Sequence, residues 1–257
     1  WLQAQDRSAM NVALRMQPVA GEVIVDLCAG LGTKTTQMAE LMEDQGTVLA
    51  VDKDVVKLEA LKTNAERLGL TCIRTVALDA IADALQETGP PNWILVDAPC
   101  SNSGVLARRP EARYRIGDAS LKKLANVQFS LLERAAALAG PDTWIAYSTC
   151  SIEPEENEQV VTRFIQAHAG WRVVETHLAL PSAGNDDIAW RDGAFWAMLV
   201  REFKRRTNAD RFTTPRKRKF ETGGGKYRSY WSTADFTKEG QGVTMFAYQF
   251  AKTLGRE

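Results

Sequence analysis

Two cysteines stand fifty residues apart in short motifs, Asp97-Ala98-Pro99-Cys100-Ser101 and Ser148-Thr149-Cys150-Ser151. Each follows an apolar run, residues 93–96 and 144–147, that reads as a buried strand. In an open α/β sheet the carboxyl ends of the strands border the ligand crevice. If the two strands are neighbours, their ends lie about 5 Å apart and both thiols face one pocket. Such a pocket suits C5 of a pyrimidine, which is too weak a nucleophile to take a methyl group unaided. A thiolate adding at C6 makes C5 enamine-like and able to attack a methyl sulfonium. A second group then assists release of the enzyme's sulfur. Asp97 is placed to hydrogen-bond the cytosine amino edge and N3 and to stabilise the charge that develops on the ring. The other two cysteines, Cys28 and Cys72, read as small buried hydrophobes.

The first half of the chain offers a place for the methyl donor. Residues 22–28 form a first strand that runs into the turn Cys28-Ala29-Gly30-Leu31-Gly32-Thr33-Lys34. Its glycines half-match a dinucleotide fingerprint but the third is missing, and the spacing fails for a phosphate loop. Acids close each of the first four strands: Asp26, Asp52, Asp79 and Asp97. An acid after the second strand suits the two hydroxyls of a ribose. Lys34 and the N–H groups of a helix start suit a carboxylate. Together they fit S-adenosylmethionine better than NAD, since there is no pyrophosphate to seat.

Strands and helices alternate to position these residues. Strands are expected at 47–51, 72–77, 93–96 and 144–147, and short ones near 171–176 and 194–200. Helices are expected at 33–43, after an Asp54 cap to a stop at Gly69, at 119–139 and, opened by Pro154, at 155–167. The alternation implies right-handed crossovers and a mainly parallel sheet covered on both faces. Residues 1–20 read as a lead-in, 21–201 as the catalytic domain, and 202–257 as a basic extension of unassigned structure.

Composition sets wider bounds. The 257 residues are 45% apolar and 25% charged, ordinary for a globular chain with a core. No stretch approaches the roughly 18 apolar residues of a membrane span. The four cysteines have no regular spacing, which argues against a disulfide framework and for a reducing, cytoplasmic setting. The net charge of zero hides a division: residues 203–257 carry 13 Lys/Arg against 5 Asp/Glu, the remainder 19 against 27. A basic tail on an acidic body is consistent with a nucleic-acid partner. His168 and His177 are isolated, and no metal is expected. A start at Trp1 rather than Met marks a fragment or a processed product.

The chain resembles the RNA cytosine-C5 methyltransferases, and within them the bacterial 16S ribosomal RNA group known as RsmB, Fmu or Sun. The likeness runs from about Gln5 to Arg201. It covers Gln5-Asp6-Arg7-Ser8, the turn from Asp26 to Thr35, Asp97 to Gly104 with Arg108-Arg109-Pro110-Glu111, Ser148 to Asn157, and Asp192-Gly193-Ala194-Phe195-Trp196. The resemblance implies a Rossmann-like class I S-adenosylmethionine-dependent methyltransferase with a seven-stranded sheet and adjacent fourth and fifth strands. It assigns nucleophilic attack to Cys150 and product release to Cys100; the similar DNA enzymes use the Pro-Cys thiol as nucleophile. It gives Asp52 and Asp79 the ribose and adenine contacts, and places Cys28 to Lys34 at the methionine end. The chain departs from the family in three ways. The usual Ala-Ala-Pro-Gly-Gly-Lys turn here reads Ala29-Gly30-Leu31-Gly32-Thr33-Lys34, the N-terminal RNA-binding domain is absent, and the region after Arg201 is not recognised.

A base inside a helix cannot present C6 to a thiol, so the target must be unpaired or flipped out. Arg108, Arg109, Arg113 and Arg115 follow Cys100 closely and are placed to hold phosphates near the pocket. The expected partner is RNA, foremost 16S ribosomal RNA, with transfer RNA or another RNA as the alternative, and the protein is expected to act as a monomer. A degenerate RNA-binding scaffold that no longer binds cofactor is the non-enzymatic alternative.

Overall fold

A computed structural model describes residues 3–183 and 190–202. The basic tail and its aromatics, residues 203–257, lie outside the described residues, and Gln5–Glu202 form one compact unit. Its strands are β1 (Val23–Asp26), β2 (Thr47–Asp52), β3 (Ile73–Ala77), β4 (Trp93–Asp97), β5 (Trp144–Thr149), β6 (Trp171–Ala179) and β7 (Ala194–Arg201). They form one seven-stranded sheet in the order β3-β2-β1-β4-β5-β7-β6. β7 runs antiparallel to both β5 and β6, and the remaining pairs are parallel. This is the mainly parallel sheet that the alternating pattern implied, in the seven-stranded, Rossmann-like form that the resemblance implied.

The helices are α1 (Arg7–Met16), α2 (Thr33–Leu41), α3 (Val55–Leu68), α4 (Ile81–Thr88), α5 (Asp118–Leu138) and α6 (Glu158–Ala167). The sheet has period-two alternation with both faces buried, so its strands read as near-continuous apolar runs. On one face Val25, Leu49, Ile94 and Ile145 pack with Ile81 of α4, Leu132 of α5 and Phe164 of α6. On the other, Ala50 packs with Leu61 of α3 and Ala29. Asp54 caps α3 by accepting from the Val56 and Lys57 N–H groups at 3.1 and 3.4 Å, and Gly69 ends it at φ 73°.

Two helices went unread in the sequence. α1 is capped by Asp6, whose carboxylate accepts from Ser8 N at 2.8 Å, and the Gln37 amide of α2 donates to Met10 O at 3.1 Å. α4 is eight residues long, too short for a clear helical period. A third expectation needs correction. α6 starts at Glu158 instead of Glu155, because Pro154–Asn157 form a turn. Glu156 and Asn157 within that turn are fully buried and hydrogen-bonded to the loops that carry the cysteines.

Candidate active site

β4 and β5 are parallel neighbours with Val96 beside Tyr147 and Asp97 beside Ser148. Cys100 and Cys150 therefore leave the sheet at the same edge, three and two residues beyond that last pair. Their sulfurs lie 2.9 Å apart in the free thiol state. The adjacency expected from the sequence is present.

The strand ends also set the charges around the sulfurs. Lys34 Nζ, at the first turn of α2, meets Asp97 Oδ2 at 2.6 Å, and Ser148 Oγ donates to Asp97 Oδ1 at 2.6 Å. Burial opposes the Lys34 charge, but the Asp97 carboxylate outweighs it and holds the lysine above its ordinary range. The two thiols are pushed apart. The hydrogen bond between them lowers Cys150 against the opposing effects of burial and Asp97, with Lys34 assisting. The same bond, burial and the charge on Cys150 drive Cys100 well above a normal thiol. Cys100 is thus the proton-bearing partner and Cys150 the one prepared to ionise.

A buried polar frame fixes the two loops. Glu156 accepts from Ser101 N at 2.9 Å, from Ser101 Oγ at 2.5 Å and from Gln128 Nε2 of α5 at 3.0 Å. Ser151 Oγ lies 3.3 Å from Ser101 Oγ and 3.1 Å from Ser103 Oγ. Gly104 N donates to Cys150 O at 3.0 Å, and Gly193 N to Gly104 O at 2.7 Å. A Cβ on Gly104 would meet the Gly193 and Cys150 carbonyl oxygens at 2.5 and 2.8 Å, so only glycine permits this approach.

Asn102 closes the constellation in the left-handed region, at φ 64°. Its Nδ2 donates to Cys100 O at 3.2 Å, and its Oδ1 lies 3.1 Å from Cys150 Sγ. Neither Asn102 nor the frame built on Glu156 was foreseen. The sequence signals were the run of small polar residues following each cysteine and the place of both residues within the stretches that carry the family resemblance.

The turn expected to hold a cofactor wraps the ends of β1 and β2. Gly30 and Gly32 adopt φ 55° and 87°, and a Cβ on Gly32 would meet Leu61 Cγ at 2.5 Å. Gly30 N donates to one Asp52 oxygen and Asp54 N to the other, both at 2.9 Å. Leu31, next to Gly30, and Val55 and Val56, next to Asp54, are exposed. A fixed carboxylate among exposed apolar side chains, beside the start of α2, fits a ribose, an aromatic base and an amino-acid tail. Asp79 is exposed in the turn after β3. Ala29 and Thr33 frame the turn, and burial pushes the Cys28 thiol far up, so it stays protonated. Asp26 is buried, accepts from Thr35 Oγ1 at 2.8 Å and is raised to about 7, chiefly by desolvation. The Lys34 ammonium, expected to face a carboxylate of the cofactor, also meets the Asp97 carboxylate, and it lies close enough to influence the Cys150 sulfur.

The four arginines separate into different surroundings. Arg108 is ion-paired with the nearly buried Asp192 and lies 3.5 Å from Asp6. Arg109, Arg113 and Arg115 lie at or within the 3-10 helix Pro110–Arg115, and all three are exposed. The Arg113 guanidinium lies 4.7 Å from the Tyr114 ring centroid.

Comparison with known proteins places this arrangement. The family model for 16S rRNA methyltransferase RsmB/F matches residues 13–199. The chain is 39% identical over 176 residues to a probable ribosomal RNA small subunit methyltransferase B of Synechocystis, covering 67% of this chain and 39% of that protein. The corresponding Bacillus subtilis protein is 39% identical over 165 residues, 64% of this chain and 37% of its own length. The chain therefore spans well under half the length of these relatives. Among solved structures, NSun6 from Pyrococcus horikoshii with SFG superposes with a TM-score of 0.63 at 29% identity, over 77% of this chain and 52% of that one. The chain belongs to the RsmB/F family of 16S rRNA methyltransferases.

Proposed function

We propose that this domain methylates C5 of a cytosine in RNA, with small-subunit ribosomal RNA as substrate and S-adenosylmethionine as methyl donor. The observation carrying this reading is the 2.9 Å pair of unequal thiols at the ends of adjacent strands. The family membership and the SFG-bound neighbour support it. When bound at the turn after β1, S-adenosylmethionine supplies an electrophilic methyl group. Asp52 would hold the ribose, Asp79 would lie toward the adenine, and the N–H groups from Gly30 to Lys34 would face the methionine end.

Cys150 acts as nucleophile. Its thiolate would add to C6 of the cytosine and the ring electrons would shift to C5, which would take the methyl group as the methyl–sulfonium bond breaks and S-adenosylhomocysteine leaves. Asp97, held by Lys34 and Ser148, faces the N3 and amino edge and stabilises the charge on the ring. Cys100 serves release as the base: once its own proton has left, its thiolate takes the C5 proton, and the electrons of the C5–H bond re-form the C5–C6 double bond and expel the Cys150 sulfur as a thiolate. Arg109, Arg113 and Arg115 hold phosphates of an unpaired strand.

Incubation of the full-length protein with labelled S-adenosylmethionine and ribosomal RNA should yield 5-methylcytosine. Label appearing only in transfer RNA would redirect the substrate. Failure of calorimetry to detect S-adenosylhomocysteine binding would favour the degenerate scaffold.

A further inference from the structure

Asn102 joins the two cysteine loops, with Nδ2 on the Cys100 carbonyl and Oδ1 beside the Cys150 sulfur. A non-glycine residue at φ 64° is uncommon, although asparagine tolerates it better than most. The orientation of its amide is fixed by the neighbouring backbone. Nδ2 faces the Cys100 carbonyl oxygen at 3.2 Å, and the reversed amide would set two acceptors against each other there. Oδ1 is consequently the atom that faces Cys150 Sγ, at 3.1 Å.

A carbonyl oxygen accepts only. It stabilises an S–H group pointed at it and repels a thiolate. The other groups acting on the Cys150 sulfur are known in direction. Cys100 donates a hydrogen bond and Lys34 contributes positive charge, both favouring ionisation, while Asp97 and burial oppose it. Asn102 adds a directional contact on the side of the thiol.

We propose that Asn102 is a positioning residue that keeps Cys150 protonated in the resting enzyme by accepting its S–H hydrogen bond. Reorientation of the amide would accompany delivery of the sulfur to a target base. The Cys100 carbonyl, which sets the amide's direction, belongs to the loop that carries the second thiol, so the latch and the releasing group share one support. The inference builds on Cys150 as the nucleophile of the proposed reaction. Its test reads sulfur reactivity without RNA, so the latch and the methyl-transfer reading fail separately.

The experiment follows iodoacetamide alkylation of the Cys150 peptide by mass spectrometry as a function of pH, in the otherwise intact protein. Asn102→Gly removes the amide and is compatible with the left-handed backbone. It should move the acid limb of the profile to lower pH, with alkylation about threefold to tenfold faster at a fixed pH on that limb, as expected for loss of one hydrogen bond to the thiol. Asn102→Asp, which puts a carboxylate oxygen toward the sulfur, should move the limb to higher pH. An unchanged or slower Asn102→Gly profile overturns the proposal, and so does an Asn102→Asp profile that matches the wild type.

Discussion

Asp97 and Ser148 are register partners in the parallel pairing of β4 with β5, and the serine hydroxyl donates to the carboxylate at 2.6 Å. One backbone pairing thus sets both the separation of the two thiols and the orientation of the acid beside them. The carboxylate in turn holds Lys34, which arrives from a different crossover, so three elements converge on one ion pair.

The unequal thiols lead to an adduct test. Cys100→Ala should leave attack intact and block release, giving a covalent protein–RNA species that survives denaturing electrophoresis. Cys150→Ala should give none. The opposite pattern would exchange the two roles.

Replacing Lys34 by Met removes the cation that favours the Cys150 thiolate and leaves Asp97 without its partner. The acid limb of Cys150 alkylation should then move to higher pH. Because the pair is largely buried, urea unfolding should show a loss of about 2–4 kcal/mol. A normal alkylation profile would show that Lys34 acts only on folding.

Asp26 gives a pH signature. Its native pKa of about 7 lies above its unfolded value near 3.8, so the unfolded chain binds fewer protons between those limits. Its contribution to stability is therefore full at low pH and is lost as pH rises through that window. Asp26→Asn keeps an acceptor for Thr35 and removes the titration. Relative to wild type, the variant should gain on the order of 2–3 kcal/mol between pH 5 and pH 7.5 in paired urea titrations. A constant difference between the two proteins would mean that Asp26 ionises normally.

Glu156→Ala leaves the Ser101 N–H buried without its acceptor and the Gln128 amide with Pro99 O as its remaining one. The expected cost is about 2–4 kcal/mol, measured by chemical denaturation. Calorimetry should find S-adenosylhomocysteine binding retained at temperatures where the variant is folded, since the Glu156 carboxylate bonds Ser101 and Gln128 rather than the turn after β1.

The arginines should separate in RNA-binding titrations against salt. Neutralising Arg109, Arg113 or Arg115 should reduce the slope of log affinity against log salt by about one each if each contacts a phosphate. Arg108→Ala should leave that slope nearly unchanged and lower stability by about 1 kcal/mol, because its charge is taken up by Asp192 and Asp6 and its side chain is half exposed. A full slope change for Arg108 would mean that RNA displaces those acids.

The sheet and the thiol pair were legible because apolar runs, strand-end acids and cysteines are local signals with a strong topological consequence. The turn at Pro154–Asn157 was not. Pro154 and the acids after it look like a helix start, and only tertiary contacts reveal that Glu156 and Asn157 serve the cysteine loops. The second partner of Lys34 was not legible for a similar reason. The distance of Lys34 from Asp97 in sequence conceals an ion pair that exists only once β1 and β4 lie side by side. The ion pairs of Arg108 were not legible either, because its acidic partners, Asp6 and Asp192, come from both ends of the domain.

The peptide-to-peptide contact among Cys150, Gly104 and Gly193 has a practical corollary for redesign. Main-chain hydrogen bonds form this junction, and the side chains of Ser101, Ser103, Ser151 and Glu156 brace the loops on which it sits. Mutational libraries aimed at new substrates should leave the two glycines and that bracing set untouched and vary exposed positions such as Arg109, Arg113 and Tyr114 instead.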